Sequence, residues 1–275
     1  MTTLLDETFT VAGRQIGGDS APYVIAEAGS NFDQNLDTGR RLIDFAADAG
    51  ADAVKFQLFR AEALYPVGHE MHAAFKAVEL NPDWVPTLSA HAGERGIAFL
   101  ASAFDPDSVR VLEEVDVPAH KVASSEATNI ALLDQIASTG KPVFLSTGMC
   151  DTVDVEEAVT LCLARGNTKI SLLQCGTMYP LPAEHAHLRV MDLYRQRYGG
   201  PVGWSDHSLG LTLSIAAAGH GAAVIEKHFT HDRGAEGPDH FYALEPDELT
   251  HLIEAIHEVH AALGRPEKEM LPSER

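Results

Sequence analysis

A chain of 275 residues with 45% apolar and 22% charged positions can bury one large core, and nothing in that makeup points to extended disorder. Its 40 acidic residues outnumber 20 basic ones, a formal charge of −20 with no Lys/Arg cluster, which argues against nucleic acid as a partner. Cys150, Cys162 and Cys175 have no metal-finger spacing, residues 1–10 carry Asp6 and Glu7 where a leader would be basic and apolar, and no stretch has the length of a membrane span. The expectation is a cytoplasmic protein with reduced thiols and no membrane partner.

In chain order, residues 9–16 hold Ala12-Gly13-Arg14 between apolar residues, the pattern of a small hairpin. Eight short apolar, β-branched runs follow, at 23–26, 53–56, 97–101, 119–123, 142–145, 170–173, 202–204 and 224–227. Helical segments lie between them, opened by Asn81-Pro82, Asp105-Pro106, Asn129 and Glu245-Pro246. Strands joined by helical crossovers are parallel, and eight such units in a chain of this length predict a (β/α)8 TIM barrel with an N-terminal β-hairpin. A doubly wound sheet is the alternative. The whole chain, 1–275, is expected to be a single barrel domain, with 1–22 as the hairpin segment and 265–275 as a tail.

Polar side chains stand at the C-terminal end of strand after strand: Glu27, Lys55 with Gln57, Ser102, Lys121 with Ser124 and Glu126, Ser146 with Thr147, Gln174, Ser205 with Asp206 and His207, and Glu226 with His228. In a barrel these converge on the face that carries active sites. Lys55 and Gln57 are two apart on a strand and share a face. A lone lysine there as readily reaches out to the rim. With Lys121 and the Ser102 and Ser124 hydroxyls, however, the pair makes a positive pocket suited to a phosphorylated carboxylate.

His207 and His228 end neighbouring strands about 5 Å apart, so the two can share one ion. Two imidazoles with open positions suit Mn2+, Mg2+ or a similar ion better than closed structural zinc. Among 14 histidines an arbitrary pair is usually without function, and adjacent strand ends are what single these two out. Asp239 follows the last strand, where it either bonds a substrate hydroxyl or caps a turn.

Taken together, Ile25-Ala26-Glu27-Ala28-Gly29, Ala53-Val54-Lys55-Phe56-Gln57, Lys121-Val122-Ala123-Ser124-Ser125-Glu126, Leu145-Ser146-Thr147-Gly148-Met149, Ser205-Asp206-His207-Ser208-Leu209-Gly210, Glu226-Lys227-His228-Phe229-Thr230 and Gly237-Pro238-Asp239-His240 resemble the N-acetylneuraminate (sialic acid) synthase family. The resemblance runs from about residue 9 to residue 264. It implies a transferase of carbohydrate biosynthesis that condenses phosphoenolpyruvate with an aldose, N-acetylmannosamine or another sugar aldehyde, and releases phosphate. It also implies roles. Lys55, Ser102, Lys121 and Ser124 hold phosphoenolpyruvate, and His207 and His228 bind a divalent metal, Mn2+ first, with Mg2+ or Co2+ as alternatives. Glu27, Glu126 and Asp239 are acidic groups near the reacting centre, and Tyr179 contacts substrate. Gln57, Ser146, Thr177 and Ser205 complete the expected binding set. Either Glu27 or Glu126 is the general base.

The family's Asn-His-Asn-Gly after the first strand is here Asn31-Phe32-Asp33-Gln34, which places an apolar ring where a polar contact is usual. Gly176-Thr177 replaces Thr-Ser, Ala101-Ser102-Ala103-Phe104 replaces Ser-Thr-Pro-Phe, the second loop (61–81) is shorter, and the family's C-terminal antifreeze-like domain is not expected. A homodimer is expected to use barrel surfaces. The competing readings are a metal-dependent 2-keto acid aldolase or lyase and a non-catalytic sugar-binding barrel.

Overall fold

The computed structural model describes residues 4–270 and 272–274, so the ends of the expected hairpin segment and tail, residues 1–3, 271 and 275, lie outside the described residues. β1 (Thr8–Val11) and β2 (Arg14–Gly17) pair antiparallel, turning through Ala12 (φ 48) and Gly13 (φ 81). Left-handed backbone at both central residues lets a two-residue hairpin follow the strand twist.

The eight expected strands are all present: β3 (Tyr23–Gly29), β4 (Ala53–Leu58), β5 (Ala98–Ala103), β6 (His120–Val122), β7 (Val143–Ser146), β8 (Ile170–Cys175), β9 (Val202–Asp206) and β10 (Val224–His228). They close in sequence order, β10 pairing with β3, which excludes the doubly wound alternative. Around them run α1 (Leu36–Asp48), α2 (Ala61–Leu64), α3 (Glu70–Ala77), α4 (Val85–Glu94), α5 (Pro106–Glu114), α6 (Ile130–Ser138), α7 (Thr152–Ala164), α8 (Val190–Tyr198), α9 (Thr212–Gly219) and α10 (Pro246–Leu263). No helix among the described residues is long and apolar enough to cross a membrane.

The helix starts follow from their caps. Asp105 Oδ1 accepts from the amides of Asp107 and Ser108 at 2.9 Å each, with Pro106 in the first turn, where its missing N–H costs nothing. Glu245 and Glu248 form a reciprocal capping box ahead of α10, and Asn129 caps α6. Asn81-Pro82 instead opens a single 3-10 turn, Pro82–Trp84, that leads into α4.

Two apolar layers fix the site's position. Outward-facing strand residues such as Val54, Phe56, Trp204 and Ile225 pack against the helices. Inward-facing Tyr23, Ile25, Leu100, Phe144, Leu173 and Val224 meet Phe9, Val11 and Ile16 of the hairpin and fill the lower half of the barrel. Phe144 lies 6.3 Å from the Phe9 ring and 5.8 Å from that of Tyr23. Above this floor a cavity opens toward the C-terminal ends of the strands.

Candidate active site

Period-two alternation, carried one step above the apolar floor, delivers the polar residues. Ile25 is followed inward by Glu27, Ala53 by Lys55 and Gln57, Leu100 by Ser102, and Val224 by Glu226 and His228. They line a cavity of about 780 Å³, with Lys121, Ser124, Ser146, Thr177, Tyr179, Ser205, His207 and Asp239 on its other walls.

At the base of the cavity four buried charges alternate in sign. Lys55 Nζ lies 2.7 Å from Glu27 Oε2 and 3.7 Å from Glu226 Oε2, and donates to Ser102 Oγ at 2.9 Å. Lys121 Nζ lies 3.6 Å from Glu226 Oε1, which also accepts from Ser205 Oγ at 2.9 Å. The two carboxylates respond in opposite directions. Burial raises Glu27 to about 7 against the pull of Lys55. Burial pushes Glu226 the same way, but Lys121 and Lys55 outweigh it and hold that carboxylate down at about 2. Two carboxyl groups driven apart in this way are the arrangement that assigns one to proton exchange and the other to fixed charge.

Higher up, the rings of His207 and His228 stand 5.3 Å apart. His207 Nδ1 meets the Gly176 carbonyl at 2.6 Å, and His228 Nδ1 lies 3.2 Å from the Tyr242 hydroxyl, which donates to Asp239 at 2.8 Å. Each Nδ1 is engaged and neither Nε2 has a protein partner among the described residues, the outer-shell arrangement that orients imidazole ligands. Burial presses His228 down to about 3, which leaves it neutral. For His207 burial acts likewise, but Cys175 and the Gly176 carbonyl outweigh it and the net shift is upward. Among the described residues no group of three or more His, Cys, Asp or Glu is placed to hold a metal ion. Two imidazoles by themselves would leave any ion they hold with open positions for ligand oxygens.

Among the residues given a catalytic or binding role from sequence, Glu126 lies away from the cavity. β6 ends at Val122, and the chain turns through a 3-10 helix, Ser124–Glu126, that carries the Glu126 carboxylate outward to accept from Asn129 Nδ2 at 2.7 Å. Glu27 is thus the candidate base that faces the centre. Gln174 also points outward and donates to the Ala186 carbonyl, and Thr147 bonds Leu173 O and Tyr194. Phe32 does not replace a polar contact in the cavity; it is buried 6.3 Å from the Phe56 ring and 6.4 Å from that of Trp84. Glu226, named only as a strand-end group, proves central, and Cys175, expected only to be a reduced thiol, lines the cavity 3.7 Å from His207 Nδ1. The period-two rule could have found both, since Leu173 and Cys175, like Val224 and Glu226, share a face.

Asp239 accepts from the Ser30 amide at 3.4 Å and the Ser30 hydroxyl at 3.1 Å, so it ties the first loop to the last rather than merely capping a turn. Asp33 reinforces that tie, lying 2.9 Å from His240 Nε2 and 3.3 Å from His231 Nε2.

A closed (β/α)8 barrel with lysines, carboxylates and a pair of imidazoles gathered at its C-terminal mouth defines a barrel enzyme. The NeuB family model matches residues 42–268, and the chain belongs to that family. It is 38% identical over 268 residues to the N,N'-diacetyllegionaminic acid synthase of Campylobacter jejuni, covering 92% of this chain and 80% of that protein. It is 36% identical over 276 residues to the human N-acetylneuraminate-9-phosphate synthase, covering 95% and 77%. A crystal structure of the sialic acid synthetase of Leptospira borgpetersenii serovar Hardjo-bovis superimposes with a TM-score of 0.93 at 32% identity, covering all of this chain and 95% of that one. The chain is accordingly a synthase-type enzyme of this family.

Proposed function

We propose that this enzyme condenses phosphoenolpyruvate with the open-chain aldehyde of an N-acetylmannosamine-like or related aldose, giving a 2-keto-3-deoxy sugar acid and phosphate. The observation that carries the reading is the sharing of one cavity by Lys55, Lys121, His207 and His228. Relatives named as synthases of N-acetylneuraminate 9-phosphate and diacetyllegionaminic acid support it.

In this reading Lys55 and Lys121, with the Ser102 and Ser124 hydroxyls, hold the phosphate and carboxylate, and Gln57, Ser146 and Ser205 line the same chamber. C3 of the enol ester attacks the aldehyde carbon, water adds at C2, and phosphate departs, so that one water is consumed per phosphate released. Glu27, raised toward neutrality, exchanges the proton of that water. A divalent ion held by His207 and His228, Mn2+ by preference, with Mg2+ or Co2+ as alternatives, supplies Lewis acidity toward the aldehyde oxygen. Asp239 orients an acceptor hydroxyl, while Tyr179 and Thr177 form the wall beside it. We further propose that the whole chain works as one synthase domain, in the cytoplasm, as a homodimer that pairs through barrel surfaces.

The test is phosphate release from phosphoenolpyruvate with Mn2+ and a panel of aldoses, repeated with His228→Ala. Release that requires both ion and aldose and disappears in the variant is expected. Equal release without ion or aldose defeats the reading, and cleavage of a 2-keto acid without phosphate chemistry would indicate a lyase instead.

A further inference from the structure

Behind the two imidazoles, on the side that faces the helices, Lys227 of β10 and Asp206 of β9 form an ion pair sealed from solvent. Nζ and Oδ2 are 3.1 Å apart, and the side chains are 1% and 0% exposed. The two residues are register partners across the strands. Asp206 Oδ1 accepts from the Ser208 amide at 2.8 Å and the Ser208 hydroxyl at 2.7 Å, and Oδ2 accepts from Ser214 of α9 at 2.6 Å. Lys227 Nζ donates a second bond to the Ser208 carbonyl at 2.5 Å. The residues on both sides of His207 are therefore gripped by one buried pair, and its ammonium belongs to the residue that precedes His228.

Stability alone does not call for ions in this layer. Trp204 and Ile225 point the same way from the same strands and are fully buried and apolar. Replacing a buried ion pair by apolar side chains of similar size is often neutral or stabilising. What an apolar pair cannot do is hold the amide, hydroxyl and carbonyl of Ser208 in one fixed geometry.

We propose that Lys227 and Asp206 are positioning residues for the imidazole pair, fixing where His207 sits relative to His228 so that ion affinity depends on them more than folding does. The inference rests on the reading of His207 and His228 as ligands of the ion. Neither Lys227 nor Asp206 lines the cavity, so neither touches substrate.

The experiment measures Mn2+ binding, by the electron paramagnetic resonance of free ion, and melting temperature in three proteins: wild type, Lys227→Met, and Asp206→Asn/Lys227→Met. The single variant strands a buried carboxylate; the double variant removes both charges and keeps an acceptor for Ser208 and Ser214. Affinity should fall about 10–100-fold in the single variant and stay low in the double variant, while the melting temperature drops in the first and recovers in the second. Wild-type affinity in Lys227→Met, or affinity that returns together with melting temperature, overturns the proposal. A second readout needs no metal: the downfield proton resonance of His207 Nδ1, held to Gly176 O at 2.6 Å, should broaden or vanish in both variants. Its unchanged persistence in both overturns the proposal as well. Should the wild type bind no Mn2+, the ligand reading of the site falls, and the proton resonance alone decides whether the pair positions His207.

Discussion

The Lys55 ammonium lies 2.7 Å from Glu27 Oε2, and neither side chain is more than 3% exposed. Removing one charge of such a pair leaves the other stranded, at a cost of about 3–5 kcal/mol. Lys55→Met should therefore lower the melting temperature and abolish phosphate release together. Adding Glu27→Gln should recover part of the stability and none of the activity. Calorimetry alongside the release assay separates the two effects, and full activity in either variant would remove Lys55 from the site.

Gly29 adopts φ +55, and a Cβ there would stand 2.7 Å from Asp239 Oδ2. Gly29→Ala should carry about 1–2 kcal/mol of left-handed strain and push the Asp239 carboxylate out of place. Steady-state kinetics should show a higher KM for the aldose with that for phosphoenolpyruvate nearly unchanged. An equal rise in both would mean that Asp239 does not serve the acceptor.

Asp33 (φ 53) joins His231 and His240 of the last loop to the turn after β3. Glycine takes up left-handed backbone freely, so Asp33→Gly isolates the loss of the carboxylate from any backbone strain. Because the Asp33 side chain is partly exposed, stability should change by about 1 kcal/mol or less. The aldose KM should rise as the segment bearing Asp239 loosens. Unaltered kinetics would show that the tie does not reach the site.

His120 is buried on the helix-facing side of β6, with Nε2 2.9 Å from Glu113 Oε1, and burial holds it below its ordinary value of 6.5. The folded state thus prefers the neutral ring, while the unfolded chain takes up a proton near 6.5. The stability from this group is present above that pH and drains away as pH falls through the folded-state value. Urea midpoints measured between about pH 5 and 8 should decline on the acid side in wild type and decline less in His120→Gln. Parallel curves would refute the assignment.

The barrel was legible because each parallel strand, buried on both faces, reads as a short apolar run, with crossovers announced by Pro and a capping side chain at their starts. Most of the cavity was legible for a related reason: Lys55, Gln57, Ser102, Glu226 and His228 keep strict alternation up to the strand ends. Legibility fails where the strand stops. Glu126 falls past the end of β6 in a 3-10 turn, Ser124–Glu126, where the strand's period no longer sets the direction of its side chain. Phe32 also lies past a strand end, in a turn followed by left-handed Asp33 and Gln34, and its ring packs against Phe56 and Trp84. The Lys227–Asp206 pair was invisible as a pair, since sequence spacing does not show which outward residues of neighbouring strands share a register.

The hairpin packed into the lower barrel has a kinetic corollary. A cul-de-sac is loaded as a stack: whatever rests on the two lysines must arrive before a partner seated nearer His207 and His228, and can depart only after that partner has cleared the way. Under the proposed chemistry, the enol ester is then the obligatory first substrate. Its dead-end analogues should compete with phosphoenolpyruvate and act noncompetitively toward the aldose, while aldose analogues should act uncompetitively toward phosphoenolpyruvate.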